Sequence, residues 1–270
     1  MQRSKVTIMS IHDKKAKGEK VTMLTAYDFY TAAMIDQAEV DMILVGDSVG
    51  NVVLGYDSTV PVTMEEMIHH CKAVRRGTQY AFLIGDLPFM SYNISHEEAV
   101  RNAGRLIKEA GCDSVKLEGG SEMASVVKVI VDAGIPVCGH IGLTPQTATK
   151  LSGFRVQGKD AEGARQLIES AKALDEAGAF ALVLELVPDA IAAEITKNIS
   201  IPTIGIGAGP DCDGQVLVTN DMLGLYEKFI PKFVKQYVNL APMIKKAMSD
   251  YVQEVKSGDF PGPEHTFHVK

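Results

Sequence analysis

The sequence lacks the cysteine patterns of secreted and zinc-binding proteins. It has only four cysteines in 270 residues, too few and too scattered to form a disulfide framework. They lie far apart, with no CxxC motif and no Cys/His cluster at zinc-ligand spacing, at Cys71, Cys112, Cys138 and Cys212. This pattern predicts reduced thiols and a reducing compartment.

Long apolar runs and basic tracts are also missing. No uninterrupted apolar run approaches the roughly 18 residues of a membrane-spanning helix, and the lysine-rich N-terminal segment has no apolar core of the signal-peptide type. Lys and Arg number 27 against 34 Asp and Glu, which gives a net charge of −7. We therefore expect a cytoplasmic protein that binds neither nucleic acid nor a membrane.

The composition is that of a globular enzyme-sized domain. Hydrophobic residues make up 46% of the chain and charged residues 23%, so a large core can be buried. The length of 270 residues fits a single α/β barrel, which needs about 250 residues.

Short apolar runs alternate with segments of helical periodicity along the chain. This alternation predicts parallel strands, and eight candidate strands are the number that a closed (β/α)8 barrel, or TIM barrel, requires. An open doubly wound sheet is the alternative, because the eighth run is weak. The predicted strands are 21–25, 42–46, 81–85, 114–117, 136–139, 181–187, 202–207 and 215–219, and the clearest helices are 64–76, 95–110, 121–133, 161–177 and 189–198.

The chain shows no internal boundary of the kind that separates domains. No long Gly/Ser linker or shift in composition divides it, so we predict one catalytic domain over residues 1–270. Residues 229–256 predict an appended C-terminal helical segment, interrupted near Pro231 and Pro242. Residues 257–270 predict a proline-containing tail.

Ionisable residues stand at the C-terminal ends of five predicted strands. A strand buried on both faces should be apolar throughout, so each of these residues needs an explanation. Parallel strands end at one rim, and in a barrel that rim carries the active site. An acid at the end of one strand can be explained as the N-cap of the helix that follows. Capping does not explain ionisable residues at the ends of five different strands. They are Asp47, Asp86, Glu118, His140 and Glu185.

The acids at this rim predict a bound cation. A side-chain period of two puts Lys116 on the same face as Glu118, so Lys116 points into the same mouth. Crowded carboxylates raise one another's pKa unless a cation lies among them. Oxygen ligands without cysteine suit Mg²⁺ rather than zinc.

Several longer strings are similar, in sequence and in order, to those of the ketopantoate hydroxymethyltransferase family. The resemblance extends from residues 25–28 to residues 260–263, which is nearly the whole chain. The strings are VGDSVG (45–50), PVT (61–63), GDLPF (85–89), VKLEGG (115–120), GHIGLTPQ (139–146), GFRVQG (153–158) and IGIGAG (204–209).

This resemblance implies a barrel enzyme that uses Mg²⁺. It implies transfer of a hydroxymethyl group from 5,10-methylenetetrahydrofolate to 3-methyl-2-oxobutanoate through a Mg²⁺-stabilised enolate. The product would be 2-dehydropantoate (ketopantoate), on the route to pantothenate and coenzyme A. The resemblance also implies small-molecule substrates as the binding partners, and a large symmetric homo-oligomer such as a decamer.

The resemblance assigns a role to each matching residue. It implies that the metal-site carboxylates, acting directly or through water, are Asp47, Asp86 and Glu118. It implies substrate contacts from Asp47, Ser48, Asp86 and Lys116, and a proton acceptor at Glu185. His140 is implied only as a residue of the substrate pocket.

Two other functions remain open at this point. Another Mg²⁺-dependent barrel acting on 2-oxo acids, a carbon–carbon lyase or mutase of the isocitrate lyase type, shares the acid-ended strands. The sequence has no cysteine in a catalytic loop of the lyase type. A non-catalytic ligand-binding barrel is the other alternative, but it would not need a base at Glu185 separate from three metal carboxylates.

Overall fold

Eight parallel strands close into a barrel in a computed structural model of the protein, which describes residues 3–150, 153–226 and 230–269. Each strand pairs with the next, and β8 pairs with both β7 and β1, so the open doubly wound alternative is wrong. The strands are β1 (Val21–Thr25), β2 (Met42–Val45), β3 (Phe82–Asp86), β4 (Ser114–Lys116), β5 (Val137–Gly142), β6 (Ala181–Glu185), β7 (Thr203–Ile206) and β8 (Gly214–Leu217).

Helices follow most of the strands and cover the outside of the barrel. All five helices predicted above are present, and the predicted helix 189–198 has the observed bounds. The helices are α1 (Ile8–Lys17), α2 (Phe29–Gln37), α3 (Val49–Val52), α4 (Met64–Gly77), α5 (His96–Lys108), α6 (Ala124–Asp132), α7 (Ala161–Glu176), α8 (Asp189–Asn198), α9 (Thr219–Met222) and α10 (Ala241–Ser257). Short 3₁₀ turns lie at Ser121–Met123, Pro145–Thr147 and Pro263–His265.

Strands β2 to β7 bury both of their faces, which is why they appear as largely apolar runs, whereas β1 and β8 each have one exposed residue. One set of side chains, including Leu83 and Leu182, packs with helix residues such as Leu106 in a large outer cluster. The alternate residues, including Phe82 and Ile84, form a separate cluster inside the barrel. The inward residues at the strand ends continue this inner face toward the active-site mouth.

The N-terminal segment closes the opposite end of the barrel. Ile11 of α1 is fully buried in the inner cluster. Three lysines pair with aspartates that immediately precede strands, at N···O distances of 2.7 Å (Lys5–Asp113), 2.7 Å (Lys14–Asp41) and 2.8 Å (Lys15–Asp213). These aspartates also accept hydrogen bonds from the backbone N–H groups of Leu83, Thr22 and Thr203 on the neighbouring strands.

The chain divides into two compact units, Met1–Val218 and Thr219–Lys270, and the single domain over 1–270 stays a prediction. The helical segment 229–256 was placed too early. Residues 230–240 form turns and irregular chain, and α10 begins only at Ala241, while Phe229 lies outside the described residues. Proline is tolerated in a first helical turn but not inside a helix, and Pro242 occupies that first turn.

Two further expectations can be compared with the structure. All four cysteines are free, as predicted, and all four are buried. Among the residues that the structure describes, no helix is both long enough and apolar enough to span a bilayer.

Candidate active site

The ionisable residues predicted at the strand ends lie at one mouth of the barrel. Asp86 and Glu185 end β3 and β6, and Lys116 ends β4. His140 lies within β5, beside β4 and β6. Asp47 follows β2 by two residues, where the chain has left the strand and turns toward α3.

Lys116 places a buried positive charge at this mouth. Its Nζ lies 2.7 Å from Oδ1 of Asp86, and both side chains are buried. Burial lowers the pKa of Lys116, but the charges of Asp86, Glu118 and Asp47 raise it more, so that it ends above its ordinary value. The side chain is therefore an ammonium ion held among carboxylates, as the shared face with Glu118 predicted.

The buried acids oppose one another's ionisation. The backbone N–H of Asp47 donates to Oδ2 of Asp86 at 3.2 Å. Burial raises the pKa of Asp47 well above its usual range, and the charges of Asp86 and Glu118 raise it further. Burial also raises the pKa of Asp86, against the lowering effect of Lys116. A metal cation would stabilise the ionised forms of both groups.

The donor set of these acids fits a hard divalent cation. Asp47, Asp86 and Glu118 offer only oxygen donors, and all three side chains are buried. In the described part of the chain, no three histidine, cysteine or acidic side chains are drawn together closely enough to coordinate one ion as they stand. The chemistry of the donors, rather than a preformed cage, is the feature that matches Mg²⁺.

His140 connects the buried acids with Glu185. Its Nδ1 lies 3.6 Å from Oε1 of Glu118, and its Nε2 lies 3.1 Å from Oε2 of Glu185. Burial and Lys116 lower the pKa of His140, but the Glu118 and Glu185 carboxylates raise it more, to about 9. Lys116 Nζ approaches Nδ1 to 3.3 Å, so the imidazole is packed between a cation and two acids.

The backbone around Glu185 is tightly constrained. The carbonyl of Glu185 accepts a hydrogen bond from the N–H of Leu143 at 2.8 Å. Gly142 has φ of +97°, and a Cβ there would lie 2.1 Å from that carbonyl oxygen, so only glycine fits. Leu186, directly after Glu185, has a φ of +47°, which is uncommon for a residue with a side chain. These contacts fix the end of β6, from which the Glu185 carboxylate projects.

Ser48, predicted as a substrate contact, lies at the start of the turn after Asp47. Its Oγ is hydrogen-bonded to the hydroxyl of Tyr27, at 2.7 Å. A Cβ at Gly46 would approach this Oγ to 2.8 Å, so the turn depends on glycine there. The structure thus brings Ser48 next to the acids, as its position beside Asp47 implied.

Sequence reasoning did not single out three buried polar residues at this mouth. Tyr27, Tyr92 and Gln146 are all on loops that follow strands, and each hydrogen-bonds with a predicted site residue. Polar side chains are common in such loops, and no periodicity marks which of them turn inward. The signals that the sequence offers are their positions in βα loops and, for Gln146, its place at the end of the string GHIGLTPQ (139–146).

The sequence matches a known family over most of its length. The family model described as ketopantoate hydroxymethyltransferase covers residues 5–263. The chain belongs to this family. It is 59% identical over 267 residues to the 3-methyl-2-oxobutanoate hydroxymethyltransferase of Syntrophomonas wolfei, with 99% of this chain and 97% of the relative covered. The protein of the same name from Heliobacterium modesticaldum is 57% identical, with 97% and 95% covered.

These ketopantoate hydroxymethyltransferase relatives carry the name of an enzyme, and the chain is an enzyme of this family. Solved structures of low sequence identity share its fold. Phosphonopyruvate hydrolase superposes with a TM-score of 0.62 at 11% identity, over 98% of this chain and 92% of that one. A 2,3-dimethylmalate lyase of the PEP mutase/isocitrate lyase superfamily gives 0.59 at 13% identity, over 97% and 91%. At these identities the likeness shows the barrel fold alone.

Proposed function

We propose that the chain transfers a hydroxymethyl group from 5,10-methylenetetrahydrofolate to 3-methyl-2-oxobutanoate, giving 2-dehydropantoate for pantothenate and coenzyme A synthesis. The relatives named above support the acceptor and the group transferred, because their names state both. The family resemblance of the active-site strings supports the folate donor.

One observation carries the proposal: Glu185 differs from the other acids at the mouth. Its side chain is 15% exposed, against 2% for Asp86 and Glu118. A carboxylate that is to remove a substrate proton must be reachable by that substrate, whereas metal-binding carboxylates need not be. Glu185 is therefore the proton acceptor in the proposal, and a simple binding protein would have no use for it.

The buried acids would hold the metal. The residues for this role are Asp47, Asp86 and Glu118. Their oxygen donors suit a divalent cation. Burial raises the pKa values of Asp47 and Asp86, and a bound cation would favour their ionised forms. When bound, Mg²⁺ would supply Lewis-acid polarisation of the oxo acid and stabilise the enolate that forms when the C3 proton leaves.

The chain's own residues perform the remaining tasks. Glu185 accepts the C3 proton of 3-methyl-2-oxobutanoate, while the ammonium of Lys116 offsets the negative charge of the substrate. The hydroxyl of Ser48, which is held by a hydrogen bond to Tyr27, forms a hydrogen bond with the oxo acid. Water adds to the one-carbon unit of the folate, both of its C–N bonds break, and tetrahydrofolate leaves with the two protons of that water. C3 then forms a bond to the resulting formaldehyde carbon, whose oxygen takes the proton from Glu185 and becomes the hydroxyl of the product.

The direct test is product formation from defined substrates. Purified protein is incubated with 3-methyl-2-oxobutanoate, with or without 5,10-methylenetetrahydrofolate and Mg²⁺, and the products are identified by mass spectrometry. We expect 2-dehydropantoate only when all three are present. Cleavage of a 2-oxo or 2-hydroxy acid without hydroxymethyl transfer would contradict the proposal and favour a lyase.

A further inference from the structure

We propose that Gln146 is a positioning residue, which holds the Asp47 and Glu118 carboxylates in the arrangement that binds the divalent cation, and that Tyr92 fixes the orientation of its amide. This inference rests on the proposed function, because it takes these carboxylates as the metal site.

Gln146 joins the C-terminal ends of three neighbouring strands. It lies in the 3₁₀ turn Pro145–Thr147 that follows β5. Its side-chain Nε2 donates to Oδ2 of Asp47 and to the carbonyl of Leu87, both at 2.9 Å. Its backbone N–H donates to Oε2 of Glu118 at 3.0 Å. One residue thus binds one oxygen of each of two predicted metal ligands that lie on different strands.

The amide of Gln146 has every hydrogen-bonding group in use. Its two N–H donors serve Asp47 and Leu87, and its Oε1 accepts the hydroxyl of Tyr92 at 2.6 Å. A flipped amide would point its oxygen at a carboxylate and a carbonyl, neither of which can donate. Only the observed orientation satisfies all the partners, so the position of the Asp47 carboxylate is tied to that of Gln146.

Tyr92 completes the network from the opposite side. Its side chain is buried, and its hydroxyl also accepts the backbone N–H of Glu118 at 3.2 Å. The hydroxyl therefore touches both the Gln146 amide and the backbone that carries the Glu118 carboxylate. Hydrogen-bonded partners of this kind orient metal ligands, and their loss typically weakens metal binding by roughly 10- to 100-fold.

The test measures metal binding directly and needs no turnover. Mn²⁺ is titrated into wild-type protein and into Gln146→Met, and free Mn²⁺ is followed by electron paramagnetic resonance. Methionine keeps the length of the side chain but cannot hydrogen-bond to Asp47. We expect a Kd about 10- to 100-fold higher in Gln146→Met, with an altered spectrum of the bound ion. Gln166→Met, the same change at an exposed position on α7, should bind as wild type does.

A second, less disruptive variant tests the proposal even if Gln146→Met does not fold. Tyr92→Phe keeps the buried ring and removes only the hydroxyl that orients the amide, so its Kd for Mn²⁺ should rise in the same direction by a smaller factor. Wild-type affinity in a folded Gln146→Met or in Tyr92→Phe would overturn the proposal. Failure of the proposed metal site is a separate result, because the wild-type protein would then bind no Mn²⁺. Failure of the proposed hydroxymethyl transfer is detected by the product assay with defined substrates, which does not depend on these variants.

Discussion

Lys116 is the residue on which the charge balance of the mouth depends. Its ammonium lies beside Asp86 and within reach of the charges of Asp47 and Glu118. A substrate carboxylate would add one negative charge to this cluster of Lys116 and three acids, and a divalent cation would add two positive charges. In the proposed function, the metal binds the carboxylates and Lys116 binds the substrate anion.

Lys116→Met should weaken binding of the oxo acid. A hydrogen bond to a charged group contributes about 1.5 to 3 kcal/mol, which corresponds to a rise in KM of roughly 10- to 100-fold. Steady-state kinetics with varied 3-methyl-2-oxobutanoate measure this effect. Lys116→Arg keeps the charge and serves as the comparison. A KM for Lys116→Met within twofold of wild type would show that Lys116 does not bind the substrate.

Asp86→Asn should remove a metal ligand while keeping the shape of the side chain. We expect Mg²⁺ binding, measured by calorimetry, to weaken by more than the roughly 10- to 100-fold typical of an outer partner. Asp41→Asn makes the same change at the opposite end of the barrel, where Asp41 pairs with Lys14, and should leave metal affinity unchanged. Equal Mg²⁺ affinities in the two variants would exclude Asp86 as a ligand.

At the residue scale, the sequence predicted the parts of the mouth that lie on strands. His140 and Glu185 are predicted because they are ionisable residues that end apolar runs, and Lys116 because side-chain alternation puts it on the same face as Glu118. Gln146 and Tyr92 could not be predicted, because loop residues follow no period and their inward orientation depends on partners distant in the chain.

At the scale of secondary-structure elements, α1 and the segment before it join distant parts of the barrel. Lys15 donates to Oδ2 of Asp213 at 2.8 Å and to the carbonyls of Ile201 and Thr196 at 3.0 and 3.1 Å. The sequence indicates that the N-terminal segment is basic, but it does not indicate which residues its lysines contact. Pairings between residues so far apart in the chain leave no local pattern, which is why the role of this segment could not be foreseen.

Lys15→Met should therefore destabilise the barrel without changing its active-site mouth. Its charged hydrogen bonds, in a partly buried setting, suggest a loss of about 2 kcal/mol in the free energy of unfolding, measured by urea denaturation. Lys17→Met changes an exposed lysine of the same helix and should have little effect. If the two variants proved equally stable, the Lys15 contacts would contribute nothing measurable.

The predicted elements differ from the observed ones mainly at their ends. Strand β1 has the predicted bounds, whereas the weak eighth run, predicted at 215–219, is observed as Gly214–Leu217. Its pairing with β1 and β7 defines it, and that pairing is non-local. The C-terminal helical segment was predicted over 229–256, interrupted near Pro231 and Pro242, whereas the observed helix begins at Ala241 with Pro242 in its first turn.

At the scale of the whole molecule, the fold alone does not specify the reaction. Phosphonopyruvate hydrolase and 2,3-dimethylmalate lyase share the barrel at 11% and 13% identity. Enzymes of one barrel fold support different chemistries through the side chains at the C-terminal rim. The function of this chain must therefore be argued from its strand-end residues and from its close relatives.

We propose that the chain assembles into a homo-oligomer, as the family resemblance implies. In the described chain, α10 leaves several apolar side chains exposed, which are Met243, Ile244, Met248, Tyr251, Val252 and Val255. Native mass spectrometry or light scattering should give a mass that is a multiple of the chain mass. Met248→Glu, in the middle of this apolar face, should shift the distribution toward smaller species. A wild-type protein that stays monomeric at micromolar concentration would contradict the proposal.

Hydrogen–deuterium exchange at C3 of 3-methyl-2-oxobutanoate tests the central claim, that Glu185 removes the substrate proton, most directly. The protein, Mg²⁺ and the oxo acid are incubated in D₂O without folate, and loss of the methine signal is followed by NMR. Losing a general base typically costs 10²- to 10⁴-fold in rate, so exchange by Glu185→Gln should nearly vanish. Glu176→Gln, at an exposed position of α7, should exchange as wild type does, and His140→Asn should keep measurable exchange. Exchange at the wild-type rate in Glu185→Gln, together with its loss in His140→Asn, would contradict the account and make His140 the base.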